Sequence, residues 1–405
     1  MNLEQKWNQT LVGFGSILLG LLPLLAQASP IEIVESIPIE TTLATPGIRD
    51  TQTVWLEMIA GAQRTIDLEQ FYIQSKAGES LEPVLNAVKT AAARGVTVRM
   101  IVDNNFYKTN PADADALSHA PGVQVKKIDY APHGGIQHAK YFVVDGTDAF
   151  FGSANFDWLA LTHIHEVGLR TNDAGITMGL NKIFTKDWTE SVALTTVIHA
   201  SLVANFRSEV VSDTRDVGKV PAADRTAHVD ADLILVASPA STTPSGIDDS
   251  LTNIVALIGA AHTSVKVQVY QYATKPYNGG GHWKTLDDAL RAAARRGVQV
   301  QLLVDQASLN TGKPDLQALA RIPNAEVRVV TIPQWSGGHL DYARLVHSKY
   351  FTIDGTTSWL GTENWQDTYF TSSRNVGAIV RSAAATAQLD QIYDRLWNSP
   401  YVKQP

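Results

Sequence analysis

Residues 136–155 read IQHAKYFVVDGTDAFFGSAN, and residues 345–364 read LVHSKYFTIDGTTSWLGTEN. Each stretch holds His-x-Lys-x4-Asp followed by Gly-(Ser/Thr)-x-Asn: His138, Lys140, Asp145, Gly152, Ser153 and Asn155, then His347, Lys349, Asp354, Gly361, Thr362 and Asn364. One such match in a chain of this length is unremarkable. Two, with the same internal spacing, mark a duplication, and a self-similar chain is read as repeated structural units.

Working outward, two more pairs extend the repeat. MIAGAQRTIDLEQFYI (58–73) resembles LIGAAHTSVKVQVYQY (257–272), a helix end, a turn and an alternating apolar strand. AVKTAAARGVTVRMIVD (87–103) resembles ALRAAARRGVQVQLLVD (289–305), where an Ala-rich helix stops at Gly95 or Gly297 before a strand. The offsets between copies are 199, 202 and 209 residues, so order is kept with small insertions. Strands alternating with helices predict α/β layers. The expected fold is therefore two homologous α/β lobes related by a pseudo-twofold axis, with the active site at their interface. The spacing predicts closing helices over 174–190 and 384–397, and a strand over 229–239 that opens the second half. The expected divisions are a leader over 1–28, a first lobe over 29–205, a polar crossover over 206–227 and a second lobe over 228–405.

Residues 11–25 (LVGFGSILLGLLPLL) form an apolar run behind Lys6, and Ala26–Ala28 offer small residues for cleavage after Ala28. The run is short for a permanent span, for which about 20 apolar residues are needed. A cleaved leader implies a secreted or periplasmic protein; a retained anchor is the other reading. The chain has no cysteine, which rules out disulfides and thiolate metal sites. Its net charge of −7 argues against a general coat for duplex DNA, yet leaves room for a small basic pocket.

The motif has a chemical logic. Residues two apart on a strand share a face, so His138 projects with Lys140, and His347 with Lys349. Asp145-Gly146 and Asp354-Gly355 fall where a tight hairpin turn is expected. Two imidazoles and two ammoniums around one cavity suit a phosphodiester. Fixed Lys and Asn donors stabilise charge on the non-bridging oxygens without a metal. One neutral imidazole attacks phosphorus, and the other protonates the leaving oxygen and then activates water. For Asp145 and Asp354 two readings stand, a turn residue or direct chemistry. Glu166 and its counterpart Asn375 follow downstream. A carboxylate on a catalytic imidazole would orient it, so Glu166 is a candidate orienting residue, with an ordinary strand-end acid as the alternative. A decayed duplicate that binds phosphate or lipid without turnover is the reading from another class.

The doubled motif resembles the phospholipase D superfamily over essentially the whole chain beyond the leader. The stretches GSANFDWLALT (152–162), YARLVHSKY (342–350), GTENWQDTYFT (361–371), WNSPY (397–401) and ESIP (35–38) are similar in particular to the animal endolysosomal phospholipase-D-like 5′-exonucleases and their poxviral relatives. That resemblance implies a metal-independent phosphohistidine mechanism with no cofactor. His138 would be the nucleophile and His347 the general acid and base. Lys140, Lys349, Asn155, Asn364, Ser153 and Thr362 would bind the phosphate. It also implies a substrate of single-stranded nucleic acid, attacked from the 5′ end, or of phospholipid, hydrolysed or transphosphatidylated. The animal proteins contain cysteine and are anchored, so their compartment does not transfer. Because the duplication supplies both halves, no obligatory oligomer is implied. Trp158, Trp365, Tyr369, Phe370, Phe71 and Tyr72 are candidate base platforms, with core packing as the alternative for each, and His133, His339 and Arg344 are candidate polar neighbours.

Overall fold

The computed structural model describes residues 29–194, 228–276 and 281–405. The expected leader and crossover therefore lie outside the described residues. Two copies of one sheet carry the described chain. In the first, Val123–Ile128, Thr97–Asp103 and Thr65–Gln70 run parallel. They are followed by the antiparallel strands Tyr141–Val144, Asp148–Gly152, Glu166–Thr171 and Ser29–Ser36. The second repeats this order with Ala325–Val330, Gln299–Asp305, Ser264–Val269, Tyr350–Ile353, Thr357–Gly361, Asn375–Arg381 and His228–Ser238. Ser29–Ser36 then pairs antiparallel with His228–Ser238, which joins the two sheets edge to edge.

Local sequence explains most elements. Helix Leu81–Ala93 and helix Thr285–Arg295 both end before a glycine with positive φ, Gly95 at 99° and Gly297 at 98°. These left-handed positions favour glycine because it has no Cβ to clash. The hairpin turns are equally legible: Asp145 and Gly146 have φ of 52° and 75°, and Asp354 and Gly355 have 52° and 65°. Positive φ at both central residues matches the twist of a two-residue hairpin. The predicted closing helices are Ala174–Glu190 and Ala383–Trp397, and the opening strand is His228–Ser238. Each half has its own apolar cluster, around Trp55 and Phe142 in one and Trp359 and Phe351 in the other. A third cluster is shared, bringing Tyr141, Phe151 and Leu169 together with Tyr350, Leu360 and Val376. Burying apolar side chains from both halves in one cluster holds the lobes face to face, and the motif residues lie along this seam. Among the described residues, no helix is long and apolar enough to cross a membrane.

Candidate active site

Each motif histidine precedes its strand instead of lying within it, because the strands begin only at Tyr141 and Tyr350. The reason is a change of partner. The backbone N–H of His138 donates to Arg374 of the other half at 2.9 Å, and that of Arg374 donates to Ile136 at 2.9 Å. Likewise the N–H of His347 donates to His165, and that of His165 to Leu345, both at 2.9 Å. Two short parallel bridges, Gln137 with Arg374 and His165 with Val346, thus dock each histidine segment onto the opposite half. A buried carboxylate pins each segment from behind. Asp103 accepts from the N–H of Gln137 at 2.8 Å, and Asp305 from that of Val346 at 2.9 Å. Burial pushes both acids up, Asp305 to about 7. The sequence reading passed over this pair, although the repeat carries it: each aspartate ends its copy of the second matched segment.

The orienting residues cross between the halves. His138 Nδ1 lies 2.9 Å from Asn375 Oδ1. The amide's orientation is fixed independently, since its Nδ2 donates to the carbonyls of Tyr369 at 2.7 Å and Ser373 at 3.2 Å. Its oxygen must then face the ring, so Nδ1 of His138 carries the hydrogen and Nε2 is left with a bare lone pair. On the other side, His347 Nδ1 lies 2.9 and 3.1 Å from the two oxygens of Glu166. Sequence counterparts therefore serve each other's histidines. The first half's histidine takes the amide of the second half, and the second half's histidine takes the carboxylate of the first. Glu166 touches the imidazole of the second half.

Both rings are buried, His138 at 3% exposure and His347 at 8%. Burial, followed by Lys140 and Lys349, holds the His138 imidazole well below its ordinary value, and burial with the same lysines does so for His347. Burial raises Glu166 to about 7 against the pull of Lys349 and Lys140. Lys140 Nζ donates to the carbonyl of His138 at 2.6 Å, and Lys349 Nζ to that of His347. Burial, then repulsion between the two ammoniums, lowers Lys140, while burial brings Lys349 to about 7. Burial and mutual repulsion make both ammoniums costly here, so an anion bound between them would stabilise their charged forms, and the pocket favours an anion. Asn155 and Asn364 lie beside it, their Oδ1 atoms buried and without a hydrogen-bond partner among the described residues.

Four assigned residues do other work. Ser153 Oγ accepts the N–H of Val167 at 3.0 Å, and its single hydrogen is shared between the carbonyl of Val167, at 3.2 Å, and the Glu166 carboxyl. Thr362 Oγ1 donates to Asn375 Oδ1 at 2.9 Å. Both hydroxyls are fully buried, and they brace the orienting residues instead of reaching toward a phosphate. Asp145 accepts from the N–H groups of Gln63, Arg64 and Thr65 at 2.6–2.9 Å, and Asp354 repeats this with His262, Thr263 and Ser264. These amides hold both carboxyls below their usual range. The third position of the motif is thus a staple for the hairpin, and neither aspartate belongs to the reacting group.

A cavity of about 440 Å³ opens onto His347 and Asn155 and is walled by Phe71, Tyr72, Phe106, Tyr270 and Tyr342. Phe71 meets His138 and Tyr270 meets His347 with the same geometry, 5.0 Å between centroids and 64° between planes. Tyr369 contacts His138 from another side at 4.8 Å. Of the candidate platforms, Trp158, Trp365 and Phe370 are core residues, whereas Phe71 and Tyr72 line the cavity and Tyr369 touches the ring. Phe106, Tyr270 and Tyr342 were missed, although Tyr270 is the repeat counterpart of Phe71. His133 and His339 are exposed. Arg344 is buried, with Nε and Nη1 donating to the carbonyls of Pro333 and Ile39.

Comparison with known proteins agrees with this geometry. The family described as "Cardiolipin synthase, PLD-like domain" matches residues 55–188 and 254–397, one match in each half. Phospholipase D Z of Dictyostelium discoideum is 31% identical over 392 residues, covering 92% of this chain and 90% of that protein. The human 5'-3' exonuclease PLD3 is 30% identical over 400 residues, covering 91% of this chain and 79% of that protein. The crystal structure of phosphatidylserine synthase from Haemophilus influenzae shares the fold, with a TM-score of 0.58 at 13% identity over 87% of this chain and 84% of that one.

Proposed function

The chain belongs to the phospholipase-D-like family, and from that premise we propose that it is a metal-independent phosphodiesterase acting through a phosphohistidine on His138. The observation that carries the reading is the pair of unlike orienting contacts, Asn375 on His138 and Glu166 on His347, around one pocket that Lys140 and Lys349 share. They divide the labour.

His138, with Nδ1–H held by a neutral amide, presents the bare Nε2 that a nucleophile needs. As Nε2 forms its bond to phosphorus, the bond to the leaving oxygen breaks, and charge gathering on the non-bridging oxygens is met by Lys140, Lys349, Asn155 and Asn364. His347 gives its Nε2 proton to the leaving oxygen. Glu166 makes this robust. Near neutrality the pair shares one proton, and whether it rests on Glu166 or on Nδ1, the ring keeps its own Nε2 hydrogen. In the second step His347 Nε2 takes a proton from water, the water oxygen bonds to phosphorus, and the P–N bond breaks to restore neutral His138.

The preferred substrate is single-stranded nucleic acid cleaved from its 5′ end. Phe71, Tyr72 and Phe106 form one aromatic cluster along the cavity, with Phe71–Phe106 centroids at 4.3 Å and Tyr72 stacked on Phe106 at 4.9 Å. Such faces suit unstacked bases, and the exonuclease relatives point the same way. The second reading is phospholipid headgroup hydrolysis, favoured by the Dictyostelium relative's name. The apolar run at 11–25 is read as a cleaved leader of a secreted protein, which N-terminal sequencing of the exported form checks.

The test uses purified protein in EDTA with three substrates: a 5′-hydroxyl oligonucleotide, phosphatidylcholine and bis(p-nitrophenyl) phosphate. Samples quenched in alkaline denaturant, which preserves the P–N bond, are mapped for a phosphorylated histidine. Nucleotide release from the 5′ end and an adduct on His138 are expected. Choline release without nucleotide release would select the lipid reading, and inactivity of folded protein on all three would overturn the proposal.

A further inference from the structure

Behind His138 lies a buried charge that the reaction does not use. Arg374 is fully buried. Its guanidinium makes five hydrogen bonds: Nε and Nη2 to the two oxygens of Asp187 at 2.7 and 3.1 Å, Nη2 also to the carbonyl of Thr242 at 3.0 Å, and Nη1 to the carbonyl of Ser238 and Oγ1 of Thr243 at 3.2 Å each. Arginine has five N–H donors in a rigid fork, so every one is used. Asp187 sits on helix Ala174–Glu190 of the first half, and Arg374 enters strand Asn375–Arg381 of the second. The ion pair therefore crosses the seam.

Two links connect this pair to the nucleophile. The carbonyl of Arg374 accepts the backbone N–H of His138 at 2.9 Å, and the next residue, Asn375, holds the ring nitrogen at 2.9 Å. Fixing the guanidinium at five points fixes both holds at once. The fold does not demand a cation at this place. Its counterpart in the duplicate is His165, one residue before Glu166, whose carbonyl accepts the N–H of His347. His165 is held more loosely, with Nδ1 at 3.3 Å from both Ser348 Oγ and Gln268 Nε2. The clasp is thus built behind one histidine only.

We infer that Arg374, gripped across the halves by Asp187, is a positioning residue for the nucleophile His138. This rests on the phosphodiesterase reading. An attacking nitrogen is sensitive to placement, since a displacement of about 1 Å can cost about 100-fold in rate. A general acid delivering a mobile proton tolerates more.

Removing one partner alone strands a buried charge and endangers the fold, whereas replacing both with apolar groups of similar volume is often neutral. The double variant Asp187→Leu with Arg374→Met is therefore the main test. Stopped-flow release of p-nitrophenol from bis(p-nitrophenyl) phosphate follows the first chemical step. The expected result is a folded protein by circular dichroism, KM within about 3-fold of wild type, and a burst rate lower by about 100-fold. A burst rate within about 2-fold of wild type would overturn the inference, as would a rate loss matched by an equal rise in KM. Should the double variant not fold, Arg374→Lys decides: it keeps the charge but loses the fork, and an unchanged burst rate there also refutes the role. Wild type inactive on this ester would count against the phosphodiesterase reading instead, so the two failures are distinguishable.

Discussion

Replacing Glu166 with glutamine changes almost no volume and removes one charge at the atom pair on which the division of labour depends. In the wild type, His347 Nδ1 lies 2.9 Å from Glu166 Oε1 in a fully buried setting. A hydrogen bond to a charged group contributes about 1.5–3 kcal/mol and a neutral one about 0.5–1.5, so exchanging one for the other costs about 1 kcal/mol at mid-range. The larger loss falls when the imidazolium forms without its counter-ion, because an uncompensated buried charge costs about 3–5 kcal/mol. Solvent reaching through the cavity beside His347 softens this, so a rise in the barrier of about 2–4 kcal/mol is expected, a fall in kcat of about 30- to 1,000-fold.

That fall applies to an oligonucleotide, whose alkoxide leaving group needs the proton. With bis(p-nitrophenyl) phosphate the first step is nearly spared, while hydrolysis of the phosphohistidine, which needs His347 as base, remains slow. The variant should then show a burst of p-nitrophenol followed by slow turnover. The pH profile carries the sign. Glu166 is raised to about 7 by burial, so the wild-type pair keeps its shared proton up to that region. In the variant the imidazole must hold its proton alone, against burial and two lysines that lower it. Its alkaline limb therefore moves to lower pH. Superimposable pH profiles, or equal losses on both substrates, would refute the orienting role.

Asn375→Asp should place a carboxylate on His138 Nδ1, raise that imidazole and move the acid limb of kcat/KM to higher pH; an unmoved limb would contradict the contact. His138→Ala should abolish turnover and the alkali-stable, acid-labile adduct, whereas His347→Asn should still accumulate adduct from the p-nitrophenyl ester, which mass spectrometry reads directly. Asp145→Ala removes the acceptor for three backbone amides at a hairpin and should lower stability by about 2 kcal/mol, by analogy with helix caps, while kcat per folded molecule stays within about 2-fold. Glu35, raised from 4.5 to about 7 by burial, supplies a stability test. Its raised value means that stability present below pH 4.5 is lost as pH rises toward 7. Relative to Glu35→Gln, wild type should therefore lose about 3 kcal/mol between acid and neutral pH, measured by urea unfolding.

The sequence made the duplication, the hairpins and the helix ends readable because each is written in local spacing. Gly95 and Gly297 punctuate helices, and Asp145-Gly146 and Asp354-Gly355 punctuate hairpins, through backbone angles that few other residues adopt. What lay beyond reading was everything set by the seam. Glu166 and Asn375 align as counterparts, but alignment carries no sign that each reaches the other copy's ring. Ser153 and Thr362 looked like phosphate donors because they follow the glycine of the motif; at the strand ends their hydroxyls turn inward to Val167 and Asn375. Tyr270, the repeat counterpart of Phe71, and the pair Asp103 and Asp305 were present in the matched segments and could have been found by asking which repeated positions are aromatic or acidic at a strand's end.

The exchange across the seam has a consequence for how two like halves do unlike work. Most of the machinery is kept twofold: the aromatic ring on each imidazole, the lysine on each histidine carbonyl, the carboxylate beneath each histidine segment and the three-amide staple on each hairpin. Among the residues that hold the two imidazoles, symmetry fails at adjacent positions, Arg374-Asn375 against His165-Glu166. Because these contacts cross, a change in one half retunes the histidine of the other, and the second half supplies both the amide and the ion-pair anchor behind the first half's histidine. A neutral amide backed by a rigid ion pair suits a nitrogen that must be bare and well placed. A carboxylate backed by a neutral imidazole suits a nitrogen that must gain and lose a proton. If this is the origin of the asymmetry, exchanging only the orienting pair, Glu166→Asn with Asn375→Glu, should leave a poor enzyme, because the clasp of Arg374 and Asp187 would still position His138. Adduct then forms slowly on His138 and not on His347. An adduct that moved to His347 would show that the orienting residues alone choose the nucleophile.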